Sequence, residues 1–190
     1  AYAVTEIIFG ETTRAVHWGL LLINSVTIVL IFVLAKRLFD AYSGVVAAGT
    51  YGVMSLSPAV LGLAGHATHF VLLPVLAGIV LLLRGLESNR RKYLFLGGIL
   101  FGLGMLMKQP AIFFALFAIV IVLWKNRKDT KKNILSNVSI LFTGIVLPYG
   151  ITCLLLAAAG VFDRFWFWTM TYAGTYGSQI PLEGGVELLA

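Results

Sequence analysis

An all-α bundle of about six membrane-crossing helices is the fold class this sequence predicts, on two observations. Hydrophobic residues make up 59% of the chain and charged residues 12%, with a mean hydropathy of +0.95. A soluble domain of 190 residues has too little polar surface to coat that much apolar side chain. The apolar residues also come in long runs separated by short basic clusters, the pattern of helices threaded back and forth through a bilayer. A net charge of +6 could suit nucleic acid if it were gathered on one face. Eleven of the fourteen Lys and Arg residues instead lie between the apolar runs, where they orient helices, so nucleic acid is set aside as a partner.

The runs fall near 15–35, 42–63, 67–83, 93–107, 110–124 and 133–159. The first ends at Lys36-Arg37, and the third ends at Arg84, followed by Arg90-Arg91-Lys92. The fifth ends at KNRKDTKK, residues 125–132. Short loops rich in Lys and Arg stay cytoplasmic, which predicts cytoplasmic loops near 36–41, 84–92 and 125–132. An even number of crossings must then separate the second cluster from the third. Residues 93–124 as one helix would span about 48 Å, far beyond a hydrocarbon core of about 30 Å. The chain therefore turns back between them, and Lys108-Gln109-Pro110 is the polar, helix-breaking place to do so. Outer loops follow near 64–68, 108–110 and 160–184, and residues 1–190 read as one membrane-embedded domain of a longer protein. Its start, AYAVTEIIFGETTR, lacks the basic region of a cleavable signal peptide.

Small residues mark close helix contacts: Gly98 and Gly102 form a GxxxG, and Gly44, Ala48 and Gly52 recur every fourth position. The single cysteine, Cys153, excludes an internal disulfide and a cysteine metal cluster, and reads as a small apolar residue in a helix. Asn137-Val-Ser139 matches a glycosylation sequon but lies in an apolar run on the cytoplasmic half, so it is discarded.

The three remaining basic residues, Arg14, Lys108 and Arg164, fall on the outer side with the three histidines. Arg14, His17, Leu21 and Asn24 share one helix face. That face is either a snorkelling arginine above a helix-bonding amide, or a polar wall of an outward-facing cavity with Arg14 set for an anion. His66, Thr68 and His69 lie at the mouth of the third helix. Two histidines supply too few ligands for zinc, so a neutral imidazole that caps a helix or bonds a substrate hydroxyl is the better reading. Lys108 is either a snorkelling turn lysine or a compact point charge for a phosphate, where with Arg14 and Arg164 it would stabilise a phosphate leaving group. Trp166, Trp168, Tyr172 and Tyr176 suit an outer interfacial aromatic belt.

The order of these segments carries a resemblance. RAVHWGLLLINSVTIVLIFVLAKRLFD is followed by AYSGVVAAGTYGVMSLSPAVLG, THFVLLP, GGILFGLGMLMKQPAIFF and FWFWTMTYAGTYGSQIP. The chain resembles the bacterial relatives of dolichyl-phosphate-mannose protein mannosyltransferases. That group includes the aminoarabinose transferases of lipid A and consists of membrane glycosyltransferases of the GT-C type. The resemblance implies transfer of a sugar from a polyprenyl-phosphate carrier to a lipid, glycan or protein acceptor at the outer or periplasmic face of the cell membrane. It places the catalytic acid in a first outer loop ahead of residue 1, and it matches Lys108 and Arg14 to a lysine and an arginine of the family. An acidic residue commonly precedes the family's His-Phe; here Thr68 stands before His69-Phe70, which leaves His69 as the carried-over polar residue. On this reading Arg14 and Lys108 hold the lipid phosphate, while His69, Tyr172 and Tyr176 line the sugar or acceptor region. No cofactor is required by this segment, and a divalent metal in the full-length protein stays open. The rival readings are a multi-pass transporter or flippase-like subunit, and a non-catalytic membrane scaffold.

Overall fold

The computed structural model describes residues 7, 10, 12–60, 66–172 and 174. Within them the chain is helical, with no strand. It divides into two compact units, Ala1–Tyr149 and Gly150–Ala190.

In the first unit, α1 (Thr13–Leu38) opens on Thr12, whose hydroxyl accepts the Ala15 N–H at 3.2 Å. Asp40 caps α2 (Ala41–Met54) by accepting the Ser43 N–H at 2.7 Å. A 3₁₀ turn, Pro58–Val60, follows. Helix α3 (Ala67–Ser88) ends on Asn89 in the left-handed conformation, φ 50°, and α4 (Arg91–Met107) leads back along it. At Lys108 the backbone becomes extended, and the 3₁₀ turn Gln109–Ala111 opens α5 (Ile112–Lys125). Helix α6 (Lys131–Ala158) runs across the boundary between the units. The second unit continues with the short α7 (Phe162–Trp166) and a π-helical turn, Phe167–Thr171.

Within the described residues each of the six apolar runs contains a helix, but the helices are unequal in length. Helices α1, α3 and α6 are long and apolar enough to cross a membrane. Helices α2, α4 and α5 have 14, 17 and 14 residues, or about 21, 25 and 21 Å. Among the described residues three helices are full-length spans by length and composition, fewer than the six or so expected. The expected turn at Lys108-Gln109-Pro110 is where α4 and α5 part. Beyond it Ala111, Ala115, Ala118 and Val122 are buried at helical spacing in one core with Val75 and Leu82 of α3 and Leu94 and Phe101 of α4. A helix continuing straight past Lys108 would carry Val122 out of that core.

Both small-residue motifs sit at helix contacts. A Cβ added at Gly44 would meet the Phe32 carbonyl oxygen at 3.0 Å, so α2 lies close on α1. Added at Gly98 or Gly102, it would run into the carbonyl oxygens of Leu141 and Ile145 on α6. Gly144 answers from α6, with the Phe95 carbonyl as its obstacle.

Two side-chain contacts tie the basic clusters together. Arg37 pairs with Glu87, its Nε donating to Oε1 at 3.2 Å, and its Nη1 reaches the Val80 carbonyl at 3.3 Å. Arg91 Nε donates to Asn137 Oδ1 at 3.2 Å. The C-terminal ends of α1 and α3 and the N-terminal ends of α4 and α6 therefore share one end of the unit. Lys108, a helix-length away, marks the other.

The Ser43 amide stabilises the ionised form of the Asp40 side chain, which lowers its pKa from the ordinary value of 3.8. Its contribution is present above that value and is lost as pH falls through the lower folded-state value. Melting temperature in detergent is expected to fall further between pH 5 and pH 3 for the native chain than for Asp40→Asn, which keeps an uncharged cap. Parallel curves would show that the cap carries no pH-dependent stability.

Candidate functional site at the Lys108 end

An apolar cavity of about 750 Å³ opens among α1, α2, the Pro58–Val60 turn and the start of α3. Ile31, Met54, Val60 and Leu72 contribute apolar wall, and Tyr51, Ser55, His66, Thr68 and His69 contribute polar atoms. Tyr51 is held from behind, its hydroxyl donating to Asn24 Oδ1 at 3.2 Å.

His66 is the N-cap of α3, accepting the Thr68 N–H on Nδ1 at 3.4 Å. A backbone N–H can only donate, so this nitrogen is the acceptor and a neutral ring carries its proton on Nε2. Thr68 Oγ1 lies 2.7 Å from the same nitrogen and donates to it. That orientation leaves the hydroxyl oxygen free to accept, and Lys108 Nζ donates to it at 3.1 Å. Lys108, Thr68 and His66 therefore form one chain of hydrogen bonds at the cavity, with the ammonium at its end. The lysine backbone is independently fixed: its N–H donates to Gly104 and its carbonyl accepts from Ala111, both at 3.0 Å.

His69 is different. It is buried, and its Nε2 donates to the Val60 carbonyl at 3.3 Å, which fixes the turn before α3. The other ring nitrogen, Nδ1, is buried with no hydrogen-bond partner among the described residues. The two roles the sequence left open for a histidine here are thus divided: His66 caps the helix, and His69 holds an acceptor in reserve. No cluster of three metal-ligating side chains occurs among the described residues.

The remaining candidates are placed less uniformly. Arg14, His17 and Leu21 are exposed and line no part of the cavity, whereas Asn24 is buried against Tyr51. The buried positions of α1 are Ala15, Gly19, Leu20, Asn24 and Thr27, so of the four residues that share the face only Asn24 is buried. Tyr172 belongs to the second unit, where its exposed ring meets Trp168 edge-on at 5.2 Å between centroids. Arg164 is exposed in α7, and Tyr176 lies outside the described residues. Tyr51 and the two bonds of the Thr68 hydroxyl carry no signal in the sequence, where Thr68 stands only at the mouth of the third helix in place of an acidic residue.

A family model described as dolichyl-phosphate-mannose-protein mannosyltransferase matches residues 2–152, from the start of the chain through most of α6. The chain belongs to that family. It is thereby a membrane glycosyltransferase of the GT-C type. The matched stretch contains the whole Lys108–Thr68–His66 chain and the cavity, and excludes Tyr172 and Tyr176. Comparison with curated proteins and with solved structures gives no match.

Proposed function

We propose that this family member takes its sugar from a polyprenyl-phosphate carrier at the outer face of the cell membrane, and that the Lys108 end of the first unit holds the donor. The observation that carries the reading is the ammonium of Lys108, positioned by Thr68 and His66 beside an apolar cavity of about 750 Å³. A prenyl phosphate needs both features, a cation for its head and apolar wall for the first units of its chain.

In the transfer step the acceptor hydroxyl oxygen bonds to the anomeric carbon of the sugar. The bond from that carbon to the phosphate oxygen breaks, and the electron pair leaves on the lipid phosphate. Lys108 stabilises the charge that grows there. The acceptor proton passes to a carboxylate, which the resemblance places ahead of residue 1. His69 offers Nδ1 to a sugar hydroxyl, and the resemblance alone assigns Tyr172 and Tyr176 to the sugar or acceptor region. Arg14, exposed and outside the cavity lining, acts as a longer-range positive charge on the same end.

Thr68→Val in the full-length protein tests this arrangement. Valine keeps the shape and removes the hydroxyl that orients the ammonium, so the KM for the lipid-linked donor is expected to rise about tenfold. Arg14→Ala is expected to change it by less than threefold, as an exposed charge should. Unchanged donor saturation in Thr68→Val would remove the cavity from the reaction.

A further inference from the structure

Three polar residues that line the cavity of about 750 Å³ have already committed their protons to the protein. Tyr51 donates its hydroxyl to Asn24 Oδ1 at 3.2 Å, and Ser55 Oγ donates to the Gly52 carbonyl at 3.0 Å. His69 Nε2 donates to the Val60 carbonyl at 3.3 Å. What each keeps is a lone pair, so the phenol oxygen, the Ser55 oxygen and the imidazole Nδ1 accept and do not donate.

Burial holds these commitments in place. Asn24, Ser55 and His69 are 9%, 5% and 4% exposed, so turning any of their protein bonds toward the cavity would strand a buried polar atom. His69 also gives an independent sign of a ligand. Its Nδ1 is a buried acceptor with no partner among the described residues, in a side chain that lines the cavity. The opposite polarity belongs to the chain at Lys108, where the ammonium and the neutral His66 ring, protonated on Nε2, supply donors. Thr50, whose hydroxyl turns either way, adds no preference. An anionic group is thus served by Lys108 and His66, whereas Tyr51, Ser55 and His69 serve groups that bring their own protons.

We propose that Tyr51, with Ser55 and His69, determines which sugar the lipid-linked donor carries, and that Asn24 is the positioning residue that keeps the Tyr51 proton away from the ligand. This rests on the donor reading above and deepens it. The wall takes a neutral or amino sugar, whose hydroxyl or ammonium groups donate to the three acceptors. It rejects a uronic acid, whose carboxylate would face lone pairs with no proton between them. Charge on the donor is therefore confined to its phosphate, beside Lys108.

Binding to the full-length protein in detergent is measured for three lipids with the same polyprenyl phosphate. One is the bare carrier, one bears mannose, the sugar in the family's description, and one bears glucuronate. The native protein is expected to hold the mannosyl lipid more tightly than the bare carrier, and about tenfold more tightly than the glucuronyl lipid. Tyr51→Phe removes an accepting oxygen, so it should weaken the mannosyl lipid about fivefold and leave the bare carrier within twofold. Asn24→Leu keeps the phenol but releases its proton to the cavity, so discrimination against glucuronate should fall several-fold. Equal weakening of all three lipids in Asn24→Leu, as a merely structural role gives, overturns the proposal, and so does a native protein that ranks the three lipids equally. Thr68→Val separates this proposal from the reading beneath it, because it disturbs the phosphate contact and should weaken all three lipids alike. If it does so while Tyr51→Phe and Asn24→Leu keep the native preference, the sugar wall is overturned and the donor site stands. If Thr68→Val changes none of the three, the donor site falls and the sugar wall falls with it. Should Tyr51→Phe fail to fold, Asn24→Leu decides, and a native preference in that variant overturns the proposal.

Discussion

Lys108→Met in the full-length protein is expected to lower kcat/KM for the lipid-linked donor by about 100-fold or more. The leaving phosphate gains charge as the glycosidic bond breaks, and the ammonium that Thr68 holds beside the cavity stabilises that charge. Methionine keeps the unbranched stem, so the apolar packing of the side chain survives. The turn survives too, because the backbone of Lys108 is held by Gly104 and Ala111 and not by its side chain. Melting temperature should therefore stay near that of the native chain while activity falls. Lys108→Arg restores charge but not shape: its fork cannot reproduce the single 3.1 Å bond to Thr68, and recovery should be partial. Native donor kinetics in a well-folded Lys108→Met protein would reduce the residue to a turn lysine at the interface.

Gly98→Val is expected to prevent stable packing of α6 on α4. An added Cβ would collide with the Leu141 carbonyl oxygen and come within 3.0 Å of Gly144 Cα, and both obstacles are backbone. No rotamer change relieves such a clash, so the helices must separate. The cost lies at or above the upper end of the about 1–3 kcal/mol usual for overpacking. Separation would also break the bond from Arg91 to Asn137, one helix face further along the same pair. Gly49→Ala is the matched control, since nothing lies within 4 Å of its added Cβ and alanine is the better helix former. Yield of monodisperse protein and melting temperature in detergent check both. A Gly98→Val protein as stable as the native chain would mean that the contact between α4 and α6 does not hold the bundle together.

These two positions differ in how far they could be read ahead of the structure. Gly98 belongs to a GxxxG visible in one helix, but its counterpart Gly144 lies 46 residues on and has no local signature. Lys108 announced a turn by standing beside Gln109-Pro110 in an apolar block, yet its partner Thr68 lies 40 residues earlier. The same limit left two readings of α1 open. Spacing alone puts Arg14, His17, Leu21 and Asn24 on one face of α1, as it must, but spacing does not say what that face meets. Ala15, Leu20, Asn24 and Thr27 are buried, whereas Leu21 is 57% exposed.

What the sequence by itself determined is one-dimensional: which runs are apolar enough for helices, where Pro110 interrupts them, which end of each helix carries the basic clusters, and the family that this order resembles. Hydropathy, helix breaking and charge are local properties and survive without a fold. The tertiary structure decided which side chains meet. It divided His66 from His69, gave Thr68 a hydroxyl with two partners, ended the second helix at Met54, and joined Arg91 to Asn137. Such meetings depend on how helices are rotated and offset against one another, and that is settled by packing between distant segments.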